Sequence, residues 1–201
     1  MIRKITLTGN VSTIAGSAGV AGTSDGIGSA ARFNSPRGIA VDSSGNIYVS
    51  DTNNHIIRKM GSNGTVSKFA GFPSVIGTTD GLGQFASFKN PLGIHLDSSG
   101  YLYVAYSGNR LIRRITPDGS VTTAFVITTP QYATVDSFGN LFFTSGFKIQ
   151  TASRCIYSAF GNKTCLQSGF LGIARSIESG NPIQCTNLTV ETNTTCCYIS
   201  N

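Results

Sequence analysis

The chain has 201 residues, of which 12% are charged; it holds 24 glycines, no tryptophan, and a net charge of +6. That length can bury a sizeable core, and sparse charge with many turn formers suits an all-β domain better than a helical cytosolic enzyme. The basic residues are spread out, so an anionic partner is permitted but not demanded, and no apolar run is long enough to cross a bilayer.

Residues 2–5, Ile-Arg-Lys-Ile, return as Ile-Arg-Lys-Met at 57–60 and as Ile-Arg-Arg-Ile at 112–115, 55 residues apart each time. A glycine turn follows at Gly9, Gly64 and Gly119. Asn63-Gly64 and Asp118-Gly119 supply the positive φ that a tight hairpin needs. Apolar strands come next at 11–16, 66–71 and 121–125, so the chain opens on the second half of a repeat.

Residues 23–33 match 78–88 and carry Asp25-Gly26-Ile27-Gly28 and Asp80-Gly81-Leu82-Gly83. Both read as linking loops that end at a proline-led strand, at Pro36 and Pro91. The third such strand, at Pro130, lacks the loop. Each full unit reads as four short antiparallel strands, in the first near 38–42, 46–51, 55–60 and 65–71. Strands apolar on both faces, as at Ile56 and Ile57, fit a sheet sandwiched between neighbours. The predicted fold is therefore all-β, with β-propeller-type blades over residues 1–145. A partial blade spans 1–16, and further blades lie near 33–71, 88–125 and 130–158.

After residue 145 the pattern dissolves. Residues 147–150 and 154–157 read as third and fourth strands of the last blade, and 170–174 as the start of another. Residues 159–201 are rich in cysteine and sequons and read as an irregular or β segment, a candidate assembly arm.

The Asp-Gly-x-Gly loop, the strand Pro36-Arg37-Gly38-Ile39-Ala40-Val41-Asp42, the strand Gly45-Asn46-Ile47-Tyr48-Val49, and Asn54-His55-Ile56-Ile57-Arg58-Lys59 together resemble the NHL repeat. The likeness is to the long, teneurin-like and bacterial secreted variety. It implies a propeller of roughly six blades, of which about three and a half are present. It says little about activity, because such propellers host many roles.

The five cysteines, Cys155, Cys165, Cys185, Cys196 and Cys197, all lie after residue 154. Their spacings match no paired zinc knuckle. They read as two disulfides and one odd thiol, with the pairing open and the odd one able to bridge chains. Sequons occur at Asn10, Asn63, Asn162, Asn187 and Asn193. Glycans and disulfides share the secretory route, so an extracellular or cell-surface glycoprotein is expected. No leader is visible in residues 1–5, but the chain opens in the interior of a repeat, so a fragment or processed piece is expected and the missing leader is uninformative.

Asp42, Asp97 and Asp136 share one repeat position before a turn and read as acceptors for turn amides. Asp25 and Asp80 read as structural, with calcium as the weaker alternative. His95 sits in a first strand, which the resemblance places at the central channel. One histidine without companions builds no metal site. No catalytic set, metal site or cofactor site is assigned, and the chain is read as a non-enzyme.

The pairs Arg3-Lys4, Arg58-Lys59 and Arg113-Arg114 share one repeat position; stacked blades would bring them round as a basic rim, but solvated strand residues with stabilising blade-to-blade contacts are the favoured reading. No aromatic residue adjoins them for base stacking, so anionic glycans are favoured over nucleic acid. The expected function is an extracellular propeller module for protein–protein interaction, adhesion or structural assembly, in the furthest case a filament subunit. Its expected partners are other copies or the remaining blades of a longer chain. The alternatives are a metal-dependent lyase or lactonase-like propeller and an RNA-binding propeller.

Overall fold

The structure is a computed structural model that describes residues 1–106, 110–127, 129–136, 140–145, 148–152, 155–157 and 163–165. Cys185, Cys196, Cys197, Asn162, Asn187, Asn193 and residues 170–174 lie outside the described residues. The strands are β1 (Ile2–Ile5), β2 (Val11–Ala15), β3 (Gly26–Ile27), β4 (Pro36–Val41), β5 (Ile47–Asp51), β6 (Ile56–Met60), β7 (Thr65–Ala70), β8 (Gly81–Leu82) and β9 (Pro91–Leu96). They continue with β10 (Leu102–Tyr106), β11 (Leu111–Ile115), β12 (Ser120–Val126), β13 (Pro130–Val135), β14 (Leu141–Ser145), β15 (Lys148–Ala152), β16 (Cys155–Tyr157) and β17 (Lys163–Cys165).

Two complete blades share one plan. Their strand orders are β3-β7-β6-β5-β4 and β8-β12-β11-β10-β9. The four predicted strands of the first blade are all present, each within about two residues of its expected bounds. The loop at 23–33 does more than link. Its residues Gly26 and Ile27 add a short fifth strand to the outer edge, opposite Val66 and Thr65, and Gly81 and Leu82 do the same opposite Val121 and Ser120.

Local chemistry sets the hairpins. Asp42 Oδ1 accepts the amides of Ser44 and Asn46 at 3.0 and 2.8 Å, while Gly45 takes φ +80°. Asp97 Oδ1 does the same for Ser99 and Tyr101, and Asp136 Oδ1 accepts the Asn140 amide. The repeated aspartate thus holds a turn, as its recurrence implies.

Neighbouring side chains on one strand serve different cores, because strand residues alternate between faces. In β5, Tyr48 packs toward the second blade with Ile57, Phe88, Leu102 and Val104. Val49 packs the other way, with Ile2, Ala15, Phe33 and Met60. A third core joins the second blade to β13 and β14 through Ala105, Ile112, Ala133, Leu141 and Phe143.

The first strands β4, β9 and β13 lie side by side. Gly38 and Gly93 make that approach possible. A Cβ on Gly38 would collide with the Leu92 carbonyl and lie 2.9 Å from the Ile94 nitrogen. A Cβ on Gly93 would stand 2.6 Å from the Gln131 oxygen and 2.7 Å from the Tyr132 Cα.

The last blade departs from expectation. Its sheet is β13-β14-β15, and Cys155–Tyr157 does not extend it; β16 pairs instead with β17, in a separate two-stranded sheet. At the other end, β1 pairs only with β2 among the described residues.

Candidate functional site

Arg58 and Arg113 sit at the third strand of each complete blade and have 0% exposure. The two arginines are therefore corrections to the predicted basic rim, since neither side chain reaches solvent. Arg58 Nη2 donates to Asp25 Oδ1 at 2.8 Å and to the Ser24 carbonyl at 3.0 Å. Its Nη1 donates to the Arg32 carbonyl at 2.9 Å and to Asp51 Oδ2 at 3.2 Å. Arg113 repeats the arrangement on Asp80 Oδ1 at 2.6 Å, the Thr79 carbonyl at 2.9 Å and the Ser87 carbonyl at 3.3 Å. Each guanidinium also lies over a ring, Arg58 at 5.2 Å from the Phe33 centroid and Arg113 at 5.5 Å from that of Phe88. The arginine thus clamps the incoming Asp-Gly arch onto its blade.

The arch aspartate has a second contact on the outer strand. Lys68 Nζ reaches Asp25 Oδ2 at 2.8 Å. In the next blade the Thr123 amide and hydroxyl donate to Asp80 at 3.1 and 3.2 Å. Asp25 and Asp80 are therefore structural anchors in ion pairs.

The other basic residues also differ from a solvated rim. Lys59 Nζ lies 5.3 Å from the Tyr48 ring and 5.8 Å from that of Phe69, and the Arg114 guanidinium lies 4.8 Å from the Tyr101 ring. Aromatic partners absent from the adjacent sequence are thus brought in by neighbouring strands. Arg3 and Lys4 alone among the six are exposed.

Asp51 was not singled out in the sequence, yet it is fully buried. Burial pushes its carboxyl up, against the Asn34 amide, the Asn54 side chain and the Arg58 charge, which favour the anion. Beside it, Thr52 Oγ1 donates to the Pro91 carbonyl at 2.7 Å, tying this blade to the first strand of the next. A co-repetition could have exposed the clamp, because Asp25 and Arg58 are as far apart in sequence as Asp80 and Arg113.

One end of the blades collects strained, polar backbone. Ser35, Asn90 and Thr129 take φ of +52°, +52° and +41° just before Pro36, Pro91 and Pro130. His55 follows at φ +60°, and its Nδ1 accepts the Asn90 amide at 3.1 Å. Such conformations cost energy and often mark working surfaces. Burial lowers the His55 pKa. It lowers that of His95 too, despite the nearby Asp97 charge, and Thr134 Oγ1 lies 3.2 Å from the His95 ring.

Asn10 and Asn63 stand exposed at hairpin turns, accessible to a modifying enzyme. In the backbone of β16 and β17, Cys155 lies opposite Cys165.

Antiparallel blades packed face to face, with their first strands side by side, define a β-propeller-type repeat protein. Residues 33–60 match the family model of the NHL repeat. The match is to the repeat in general and does not single out the teneurin-like variety. Over 95 residues, 47% of this chain, it is 34% identical to the chloroplastic protein suppressor of quenching 1 of Arabidopsis thaliana, and it covers 9% of that protein. A protein of unknown function from Bacteroides thetaiotaomicron is 30% identical, with a TM-score of 0.50 over 59% of this chain and 28% of that one. A streptogramin B lyase is 18% identical, with a TM-score of 0.50 over 85% of this chain and 48% of its own, a likeness of fold alone. The chain spans less than half the length of each of these relatives.

Proposed function

We propose that this chain is a non-catalytic, extracellular propeller module that works through its surfaces, in protein–protein interaction, adhesion or structural assembly. The observation that carries the reading is the edge of the half-blade. Among the described residues β1 pairs with β2 alone, and Ile5, Leu7 and Val11 are 70%, 109% and 48% exposed. An unpaired strand edge beside apolar side chains is a template for another strand. If such contacts do not close on themselves, they grow a filament.

Two further observations support the reading. The described carboxylates are engaged in turns, clamps and ion pairs rather than gathered at a channel mouth, as with Asp42, Asp51, Asp80 and Asp97. The exposed Asn10 and Asn63, with Cys155 set opposite Cys165, suit glycosylation and a disulfide in an oxidising compartment. Among the described residues no helix is long and apolar enough to cross a membrane.

Sedimentation velocity on the full chain tests this. The wild type is expected to sediment as an assembly, and Ile5→Glu with Val11→Glu is expected to shift it to slower species. An unchanged distribution would refute the role of this edge.

A further inference from the structure

The connections that follow β2 and β7 are one loop built twice. In the first, the Val20 amide donates to the Ser17 carbonyl at 3.4 Å, Gly19 takes φ +73°, and the Gly22 amide reaches the Phe33 carbonyl at 3.3 Å. In the second, the Val75 amide donates to the Phe72 carbonyl at 3.1 Å, Ser74 takes φ +66°, and the Gly77 amide reaches the Phe88 carbonyl at 3.2 Å. The side chains differ. Where the first loop has Ser17, Val20 and Ala21, the second has Phe72, Val75 and Ile76, which are 49%, 49% and 57% exposed. The same backbone forms with serine and alanine at two of these positions, so the fold does not call for phenylalanine and isoleucine there. The second loop also lies between the two complete blades, with its Ser74 amide on the Asn54 carbonyl, so its tip is exposed with its surroundings in place. Pro73 pre-sets the turn that presents these side chains. Adjacent large apolar side chains left in water mark an interaction surface.

The charges around the loop are of one sign. Alternating strand directions put residues 71–77 at the same end as 52–55 and 88–91, and the hairpin turns at 42–46, 61–64 and 97–101 at the other. On the loop's end, Lys89 follows Phe88 and is exposed, and exposed Arg110 occupies the connection from β10 to β11. Half-buried His55 stands beside them, bonded to the Asn90 amide. The described carboxylates lie elsewhere or are neutralised. Asp42, Asp97, Asp118 and Asp136 sit in hairpin turns at the opposite end. Asp51 is buried on Arg58, and Asp25 and Asp80 pair with Arg58 and Arg113. The exposed sequons Asn10 and Asn63 are also at the opposite end, so sugars on them would leave the loop's end bare.

We propose that Phe72, Val75 and Ile76, with Lys89 and Arg110, form a docking face for an anionic lipid surface. The three apolar side chains enter the boundary between headgroups and acyl chains, and the two cations meet the headgroup anions. Apolar area and charge attraction together set such binding. A turn tip with an apolar apex and only cations exposed beside it fits a planar anionic surface. The contact is peripheral, and it is separate from the β1 edge, so its test stands apart from that of the assembly reading.

Cosedimentation of the full chain with vesicles tests the proposal. The wild type is expected to bind vesicles of equal parts phosphatidylcholine and phosphatidylserine, and to bind phosphatidylcholine alone far more weakly. Phe72→Ser with Ile76→Ala gives the second loop the residues of the first, which keeps the fold, and should lower the partition coefficient about tenfold. Lys89→Gln should lower it about fivefold, and added salt should shrink that difference. No binding by the wild type, binding unchanged in the loop variant, or equal binding to the two kinds of vesicle overturns the proposal. Loss of self-assembly in the loop variant, without vesicle binding by the wild type, also overturns it and assigns the loop to a contact between copies. Loop-dependent vesicle binding by a chain that sediments as a monomer upholds it and refutes the assembly reading alone.

Discussion

Arg58 places a full charge in the interior, and its cost is met by four oxygens and the Phe33 ring. The buried Asp51 depends on it, since both side chains are 0% exposed. Removing one member of a buried pair strands the other. Arg58→Ala is therefore expected to lower unfolding stability by roughly 3–5 kcal/mol, measured by urea denaturation. Lys68 offers the contrast, because its side chain is 42% exposed in its pair with Asp25. Lys68→Ala should cost no more than about 1 kcal/mol. Equal losses for the two would show that the clamp is not where the stability resides.

Histidine protonation acts at the same scale. Burial holds His55 and His95 below their ordinary values. Between the lowered folded value and the ordinary one, the unfolded chain binds more protons than the folded chain. Stability therefore falls as pH drops below about 6.5 and is fully retained above it. Melting temperature should decline between neutral and mildly acid pH. The double substitution His55→Asn with His95→Gln should flatten that decline; an unchanged slope would assign it to other groups.

At the scale of elements, blades meet through backbone as well as side chains. Gly38 faces the Leu92 carbonyl so closely that a methyl group has no room. Gly38→Ala is expected to cost roughly 1–3 kcal/mol by forcing the first strands apart, read as a lower denaturation midpoint. A neutral result would mean that β4 and β9 are not adjacent.

Elements were legible in the sequence where a physical rule repeats. Glycine turns, paired apolar faces and the recurring aspartate placed the strands of both complete blades. β3 and β8 were not legible, because two residues carry no periodicity. The arginine clamp was hidden because its partners lie 33 residues away on a neighbouring arch. Arg58-Lys59 therefore looked like an ordinary charged pair on a strand. In the last blade, a short apolar run at Cys155–Tyr157 fitted a fourth strand equally well. Only pairing with Lys163–Cys165 distinguishes the two arrangements.

At the scale of the whole molecule, each blade buries its faces only between neighbours, so stability is shared along the row of blades. The Asp-Gly arch makes the coupling directional: each blade is clamped by the segment that leads into it. The proposed assembly joins further blades to this row by the same packing of faces and edges. The most direct test of that account is the mass and form of the native particle, by light scattering and electron microscopy of non-reduced material from its source. A glycosylated particle many times heavier than one chain is the predicted result. A compact, unglycosylated monomer would contradict it.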